Sequence, residues 1–148
     1  MKNTVSVLNE LFVRTFNDIL SIEQKALQAG VFKDLSVTEI HTIEAIGMYG
    51  TKTMSEVAGI IGITVGTLTT AINHLVRKEY VIRKKSEEDR RVVQISLTRK
   101  GKLAYRVHEK FHADMVQAII AELTPEEEEV LIKSLDKLNS FFKKKVQS

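Results

Sequence analysis

The apolar residues of this chain repeat with a helical period along most of its length and with a strand period in one short stretch. From Thr4 to Ala29 they recur at steps of three and four residues. Tyr80–Arg83 and Val92–Leu97 instead alternate and are rich in β-branched and aromatic side chains, and the Lys84–Arg91 segment between them is charged except for Ser86. The pattern predicts a mostly α-helical fold with one small β-hairpin that has a basic tip.

Capping signals divide the first helical part of the chain. Gly30 ends the long first helix. Ser36 and Glu39 form a capping box for a second helix, which is expected to stop at Gly50. Thr53 and Glu56 repeat the pattern at the start of a short third helix.

Three further helix starts can be placed from the same signals. Gly62 predicts a break after the third helix, and Thr64 can cap a fourth helix that runs through Leu75. Thr98 predicts the start of a fifth helix, which extends to about Leu123. Thr124-Pro125, with Glu127 at the third helical position, predicts the sixth.

Length and composition restrict the class of protein. A chain of 148 residues with 43% hydrophobic residues is expected to form a single domain with one core. Because it has no cysteine, disulfides, thiol redox sensing and cysteine-ligated zinc are excluded. No stretch resembles a signal peptide or a membrane span, so we expect a soluble, cytoplasmic protein that does not bind membranes.

The charges are unevenly distributed. The formal net charge is only +3, but ten basic side chains lie between Arg77 and Lys102, and acidic ones concentrate at Glu126–Glu129. The middle of the chain is therefore the candidate surface for a polyanion.

The segment Met54–Val81 has the spacing of a helix-turn-helix. Ala58 is small where two helices must cross closely, Gly62 lies in the turn, and Leu68 and Ala71 face inward. The outward side chains of the second helix are the candidates for reading DNA bases, namely Gly66, Thr67, Thr70, Asn73, His74 and Arg77. For an isolated helix these would form an ordinary solvated face, but the basic hairpin that follows favours nucleic acid.

The ordered set of motifs resembles the MarR family of winged helix-turn-helix regulators. The set comprises Leu35-Ser36 at the start of the second helix, the Met54–Glu79 helix-turn-helix, Asp89-Arg90-Arg91 in the hairpin, and Leu97 to Gly101 at the start of the fifth helix. The resemblance implies a transcriptional repressor in which Asp89 orients Arg91 into the minor groove, although an ordinary exposed ion pair is the alternative. The predicted DNA-binding residues are Ser55, Thr64, Thr67, Thr69, Thr70, Asn73, Arg77, Lys84, Asp89, Arg90 and Arg91.

The resemblance also implies a domain organisation. Residues 1–148 would be a single MarR-type domain, with residues 34–98 as the winged helix-turn-helix and residues 1–30 and 99–148 as helices of a homodimer. The first, fifth and sixth helices do carry large apolar faces, which could alternatively fold back on their own chain. A two-fold dimer predicts a pseudo-palindromic operator in double-stranded DNA.

Further motifs resemble a subgroup of this family that represses fatty-acid-synthesis genes. They are Phe32–Ser36 followed by Glu39–Ile43, Thr64–Thr70, and Arg106–His112. The resemblance implies that acyl carrier protein bearing a long acyl chain is the corepressor. An apolar slot for that chain would be lined by Phe16, Leu20, Ile43, Ile46, Phe111 and Met115, although an ordinary dimer core explains the same residues.

The histidines leave a second function open. His108 to His112 matches H-E-x-x-H, but a metalloprotease also needs a third ligand and a substrate cleft, and no other enzyme motif is present, so we expect no catalytic site. A regulatory zinc site of His41, His108 and His112, with Glu23 or Glu44 nearby, is the alternative. Histidines that only form hydrogen bonds are a third interpretation, and no resident cofactor is expected. A winged helix that binds protein instead of DNA also stays open.

Overall fold

The computed structural model describes residues 3–147. These residues form six α-helices and three β-strands. In chain order the elements are α1 (Thr4–Ala29), α2 (Val37–Ile46), β1 (Lys52–Thr53), α3 (Met54–Ile61), α4 (Val65–Arg77), β2 (Val81–Lys85), β3 (Val93–Leu97), α5 (Arg99–Ala121) and α6 (Pro125–Gln147).

The capping signals in the sequence form the predicted contacts. Ser36 Oγ accepts a hydrogen bond from the Glu39 amide at 3.1 Å, and the Glu39 carboxylate accepts one from the Ser36 amide at 3.0 Å. Thr53 and Glu56 form the same reciprocal pair at the start of α3. These side chains satisfy amides that have no partner within the helix, and the two helix starts are thereby fixed.

The end of α2 was predicted too late in the chain. The helix ends at Ile46, where Gly47 has a φ of 82°, and not at Gly50. The two-residue strand β1, which follows, was not predicted because it is too short to show an alternating pattern. Lys52 in this strand donates from Nζ to the Ile46 carbonyl at 2.6 Å, which stabilises the carboxyl end of α2.

The three strands form one antiparallel sheet in the order β1-β3-β2. In the register of β2 and β3, Val81 lies opposite Leu97 and Lys85 lies opposite Val93. We call this hairpin, residues 81–97, the wing. The structure confirms the predicted fold class of a mostly α-helical winged helix-turn-helix with a small β-hairpin.

The described residues fall into two compact units, one up to Val107 and the other from His108 onward. The first unit contains the helix-turn-helix, the wing and a core formed by residues from α1, α2, α3, α4, the sheet and the start of α5. Its largest fully buried side chains include Tyr80, Ile40, Leu68 and Ile95. The second unit consists of the rest of α5 together with α6.

No single helix in residues 3–147 has the length and apolar composition to cross a membrane. Only α3 and α4 taken together meet those two criteria, as a pair bent by 106°.

Gly101 lies where the start of α5 meets the end of α4 and the wing, and this contact leaves no room for a side chain. A Cβ atom there would lie 2.1 Å from the Tyr80 carbonyl oxygen, which also accepts a hydrogen bond from the Thr98 amide at 3.0 Å. Gly101→Ala should therefore lower the free energy of unfolding by at least about 2 kcal/mol, measured by urea denaturation.

Gly59→Ala is the matched control for this substitution. Gly59 also lies in a helix, and a Cβ atom at this position would have no neighbour within 4 Å. The alanine should stabilise α3 by up to about 1 kcal/mol, because glycine is a poor helix former. Equal effects of the two substitutions would contradict the close contact at Gly101.

Candidate nucleic-acid interface

Helix α4 has a buried face and an exposed face, and these are the faces that the sequence predicts. Leu68, Ala71, Ile72 and Leu75 are buried in the first unit. Thr67, Thr70, Asn73, His74 and Arg77 lie on the opposite, solvent-accessible side, together with Gly66. Packing of the apolar face fixes the rotation of the helix about its axis. All side chains of the polar face therefore point to solvent together.

The threonines on α4 do not have equal freedom to contact a ligand. Thr64 caps the helix by accepting from the Thr67 amide at 3.1 Å, and its hydroxyl donates to Thr67 Oγ1 at 2.9 Å. The Thr69 hydroxyl donates to the Val65 carbonyl at 2.8 Å. The hydroxyls of Thr64 and Thr69 are therefore engaged in hydrogen bonds within α4. The exposed Thr70 forms no such contact with its own helix among the described hydrogen bonds.

Asp89 holds Arg91 at the tip of the wing. Asp89 Oδ1 accepts from both the backbone amide and Nε of Arg91 at 3.1 Å, and Oδ2 accepts from Nη2 at 3.3 Å. These hydrogen bonds, first from the side chain and then from the backbone, lower the pKa of Asp89 below its ordinary value, so it stays charged. The Arg91 side chain is nevertheless 92% exposed, so its guanidinium remains accessible.

A cavity of about 500 Å³ lies between the start of α3, α4 and the wing. It brings together three of the predicted DNA-binding residues, Ser55, Thr69 and Arg91. Its full lining is Thr53, Met54, Ser55, Val65, Thr69, Arg83, Arg91, Val92 and Val93. Thr67 and Thr70 instead line a separate cavity of about 370 Å³ with residues at the start of α2. Lys84 and Arg90 are both exposed on the wing.

One contact in this region was missed at the sequence level. Arg83 on β2 donates from Nη1 to Asn73 Oδ1 on α4 at 2.5 Å, so the wing and the recognition helix are joined through exposed side chains. The sequence carries no local signal for this pair, because the two residues lie in different elements. Only the outward direction of Asn73 could be inferred from the helical period.

A partly buried polar network links the end of α4 to the start of α2. Lys78 donates from Nζ to both oxygens of Glu39, at 3.0 and 2.9 Å, and to the Asp34 carbonyl at 2.5 Å. The Tyr80 hydroxyl donates to Asp34 Oδ1 at 2.7 Å. Burial and the neighbouring Asp34 carboxylate raise the pKa of Tyr80 above its ordinary value, so the phenol stays neutral and remains a donor.

The histidines of the alternative zinc site form close pairs within each unit. In the first unit His41 Nε2 lies 2.7 Å from Glu23 Oε1. In the second unit, His108 Nε2 and His112 Nε2 lie 2.9 Å apart, one helical turn from each other on α5. Both distances are those of hydrogen bonds, so the zinc site stays a prediction.

Four of the six residues predicted to line the acyl slot lie in the first unit, and they differ in exposure. Ile43 and Ile46 have no exposed surface because they pack in the core, whereas Phe16 and Leu20 are more than half exposed on α1. The acyl slot stays a prediction. Leu20 lines a cavity of about 480 Å³ with Gln24, Leu27, Gln28, Lys33, Leu35, Ser36, Val37 and Thr38.

Comparison with known proteins places this geometry in a family. The MarR family model matches residues 35–93, which contain the helix-turn-helix and most of the wing. The structure of FabT from Streptococcus pneumoniae in complex with DNA is 43% identical, with a TM-score of 0.89, and the match covers 93% of this chain and 96% of FabT. The chain belongs to the MarR family.

Other relatives of this MarR-family protein agree in fold and class. The Staphylococcus aureus MepR–DNA complex, at 22% identity, shares the fold with a TM-score of 0.75 over 95% of this chain and 99% of MepR. YfiV from Bacillus subtilis, an uncharacterised HTH-type transcriptional regulator, is 29% identical over 72% of this chain. That match spans 66% of YfiV, just under two thirds of its length. The family match and YfiV bear out the prediction of a transcriptional regulator.

The network around Glu39 predicts an acid-dependent loss of stability in this MarR-family protein. Burial alone would raise the Glu39 pKa, but hydrogen bonds from Ser36 and Lys78 together lower it below its ordinary value of 4.5. The charged form thus stabilises the fold fully above pH 4.5, and this contribution is lost as the pH falls through the lower folded pKa. Glu39→Gln should lower the free energy of unfolding by about 1 to 3 kcal/mol at pH 7.

The difference between Glu39→Gln and the wild type should shrink as the pH is lowered, because the wild-type carboxylate becomes protonated. Urea denaturation at several pH values from 7 to about 3 measures this trend. Glu56→Gln is the matched control, since Glu56 occupies the same capping-box position in α3 but is exposed. A difference for Glu39→Gln that is constant across the pH range would contradict the lowered pKa.

Proposed function

We propose that this chain is a homodimeric, DNA-binding repressor of transcription. In this proposal α4 enters the major groove, the wing contacts the adjacent minor groove, and the bound dimer excludes transcription from the promoter. The observation that carries the proposal is the position of Arg91, which is held by Asp89 yet almost fully exposed beside the polar face of α4. The similar FabT and MepR structures were determined with DNA, which supports it.

The accessible side chains suit two kinds of contact with DNA. Thr67, Thr70 and Asn73 are short hydrogen-bonding groups on the face of α4 and fit base edges. Arg77, Lys84 and Arg90 are cations along the margin of the surface and fit phosphates. Base contacts would set the sequence preference, while phosphate contacts would provide salt-dependent affinity.

Exposed apolar side chains support a homodimer. On α1 they include Leu8, Leu11, Phe12, Phe16, Ile19 and Leu20. On α6, where no described residue is buried, they include Val130, Leu131, Leu135, Phe141 and Phe142. Apolar faces of this extent are costly in water, and a second copy of the chain would cover them. A two-fold axis between the copies would then require a pseudo-palindromic operator.

We further propose that the regulated genes serve fatty-acid synthesis and that acyl carrier protein bearing a long acyl chain strengthens DNA binding. The subgroup motifs and the 43% identity to FabT support this assignment. The cavity of about 480 Å³ beside α1 offers apolar side chains from Leu20, Leu27 and Leu35, with Lys33 at the same site for an anionic group.

A zinc-responsive regulator is the second candidate, and one observation favours it. The facing Nε2 atoms of His108 and His112 lie 2.9 Å apart, so the two imidazoles could turn toward a single ion from adjacent turns of α5. Such an ion would replace the hydrogen bond between the rings.

The wing gives the first test of DNA binding. Arg91→Ala should weaken operator binding by about 1 to 3 kcal/mol, because a guanidinium contact in the minor groove is lost. Fluorescence anisotropy with a labelled operator at physiological salt measures the change. Lys110→Ala, which removes a cation from α5 in the second unit, is the control and should bind as the wild type does. Equal affinities of Arg91→Ala and wild type would remove the wing from the mechanism.

The effector is tested by binding to a palindromic promoter fragment from a fatty-acid-synthesis gene. Affinity is compared with unacylated acyl carrier protein, with the long-chain acylated form, and with a chelator. Tighter binding only with the acylated form supports the corepressor. If binding is equally tight with and without the acylated form and is abolished by the chelator, the zinc-responsive regulator is favoured. Binding that responds to neither would contradict both effectors while leaving DNA binding intact.

A further inference from the structure

The contact between Asn73 and Arg83 fixes which way the asparagine amide points. A guanidinium has only donors, so the atom that it approaches at 2.5 Å must be the amide oxygen. The amide nitrogen of Asn73, with its two hydrogens, is therefore the group left for another partner. Both side chains are exposed, and Asn73 lies on the polar face of α4.

This orientation matters for base recognition. Asparagine binds adenine through two bonds, with its oxygen accepting from N6 and its nitrogen donating to N7. The hydrogen bond from Arg83 engages the amide oxygen of Asn73 and fixes the plane of the amide. Both effects oppose the two-bond contact with adenine. Guanine instead presents two acceptors, O6 and N7, in the major groove, and a pure donor suits it.

We propose that Arg83 is a positioning residue that makes Asn73 a hydrogen-bond donor toward DNA, so that this position of α4 selects guanine over adenine. The inference rests on the proposed DNA-binding function and adds the base that one side chain of the interface reads. Arg83 acts here through Asn73, and its own charge is a separate contribution to affinity.

The test is selection from a pool of randomised double-stranded DNA, followed by competition binding of the enriched sequences. Asn73→Ala identifies the base position that depends on Asn73. At that position the wild type should prefer guanine over adenine. Arg83→Met keeps much of the side-chain volume but has no donor, and it should shift the ratio of guanine to adenine affinity by at least about fivefold toward adenine.

Three further variants make the result specific. Lys84→Met removes the neighbouring charge on β2 and should lower affinity for all sequences without changing the ratio. Arg83→Lys retains a donor and should restore part of the guanine preference. Asn73→Asp can still accept from Arg83 but has no donor, so it should lose that preference. Thermal unfolding of each variant verifies that the fold is retained.

The outcomes separate this inference from the proposed function. If the wild type selects a sequence but Arg83→Met keeps the same guanine-to-adenine ratio, the inference is overturned and the DNA-binding function stands. The same conclusion follows if Lys84→Met shifts the ratio as strongly as Arg83→Met. If the wild type enriches no sequence at all, the proposed function fails, and the base preference fails with it.

Discussion

The burial of Tyr80 between α4 and the wing is the contact on which the rest of the interface depends. Its side chain is 1% exposed within the core, and its hydroxyl donates to Asp34 near the start of α2. Its carbonyl accepts from Thr98 and lies against Gly101 at the start of α5. One residue therefore sets where the recognition helix ends and where the wing begins. The polar side chains of α4 and of the wing project from these two backbones. The distance between the two sets of side chains therefore depends on Tyr80.

The exposed polar side chains of α4 lie on a helix whose position the core already fixes. The apolar face of α4 holds the helix in place, and the hydrogen bonds of Thr64 and Thr69 stay within it. The groups left exposed need no rearrangement before they meet a ligand, apart from rotation of their own side chains. A surface of this kind loses little conformational entropy on binding, because the backbone that carries it is already fixed by the core.

The sequence predicted those parts of the fold that depend on near neighbours. Both capping boxes, the break at Gly62 and the inward face of α4 follow from contacts within a few residues. These features were predicted because their geometry is set by local backbone periodicity. The pair of Asp89 and Arg91, two residues apart, was instead implied by the resemblance of the wing motif to the MarR family.

The features that sequence reasoning missed depend on contacts between elements. Strand β1 exists because β3 provides a partner for Lys52 and Thr53, and two residues alone carry no alternating pattern. The bond from Arg83 to Asn73 requires the packing of the wing against α4. The complete burial of Ile43 likewise depends on how α2 packs in the core, because an apolar side chain alone suits a core or a ligand slot equally well.

The pairing at the tip of the wing also has a kinetic consequence. Asp89 carries a negative charge within hydrogen-bonding distance of the Arg91 guanidinium, so beyond about 10 Å, the screening length at 0.1 M salt, the two charges largely cancel. Arg91 would then add little to the electrostatic attraction that accelerates the first encounter with DNA. Its contribution would arise after contact, when the guanidinium lies so close to the minor groove that its attraction to the DNA exceeds the repulsion of the DNA by Asp89. The wing tip would thus govern the lifetime of the complex, while the other exposed cations of the surface govern its rate of formation.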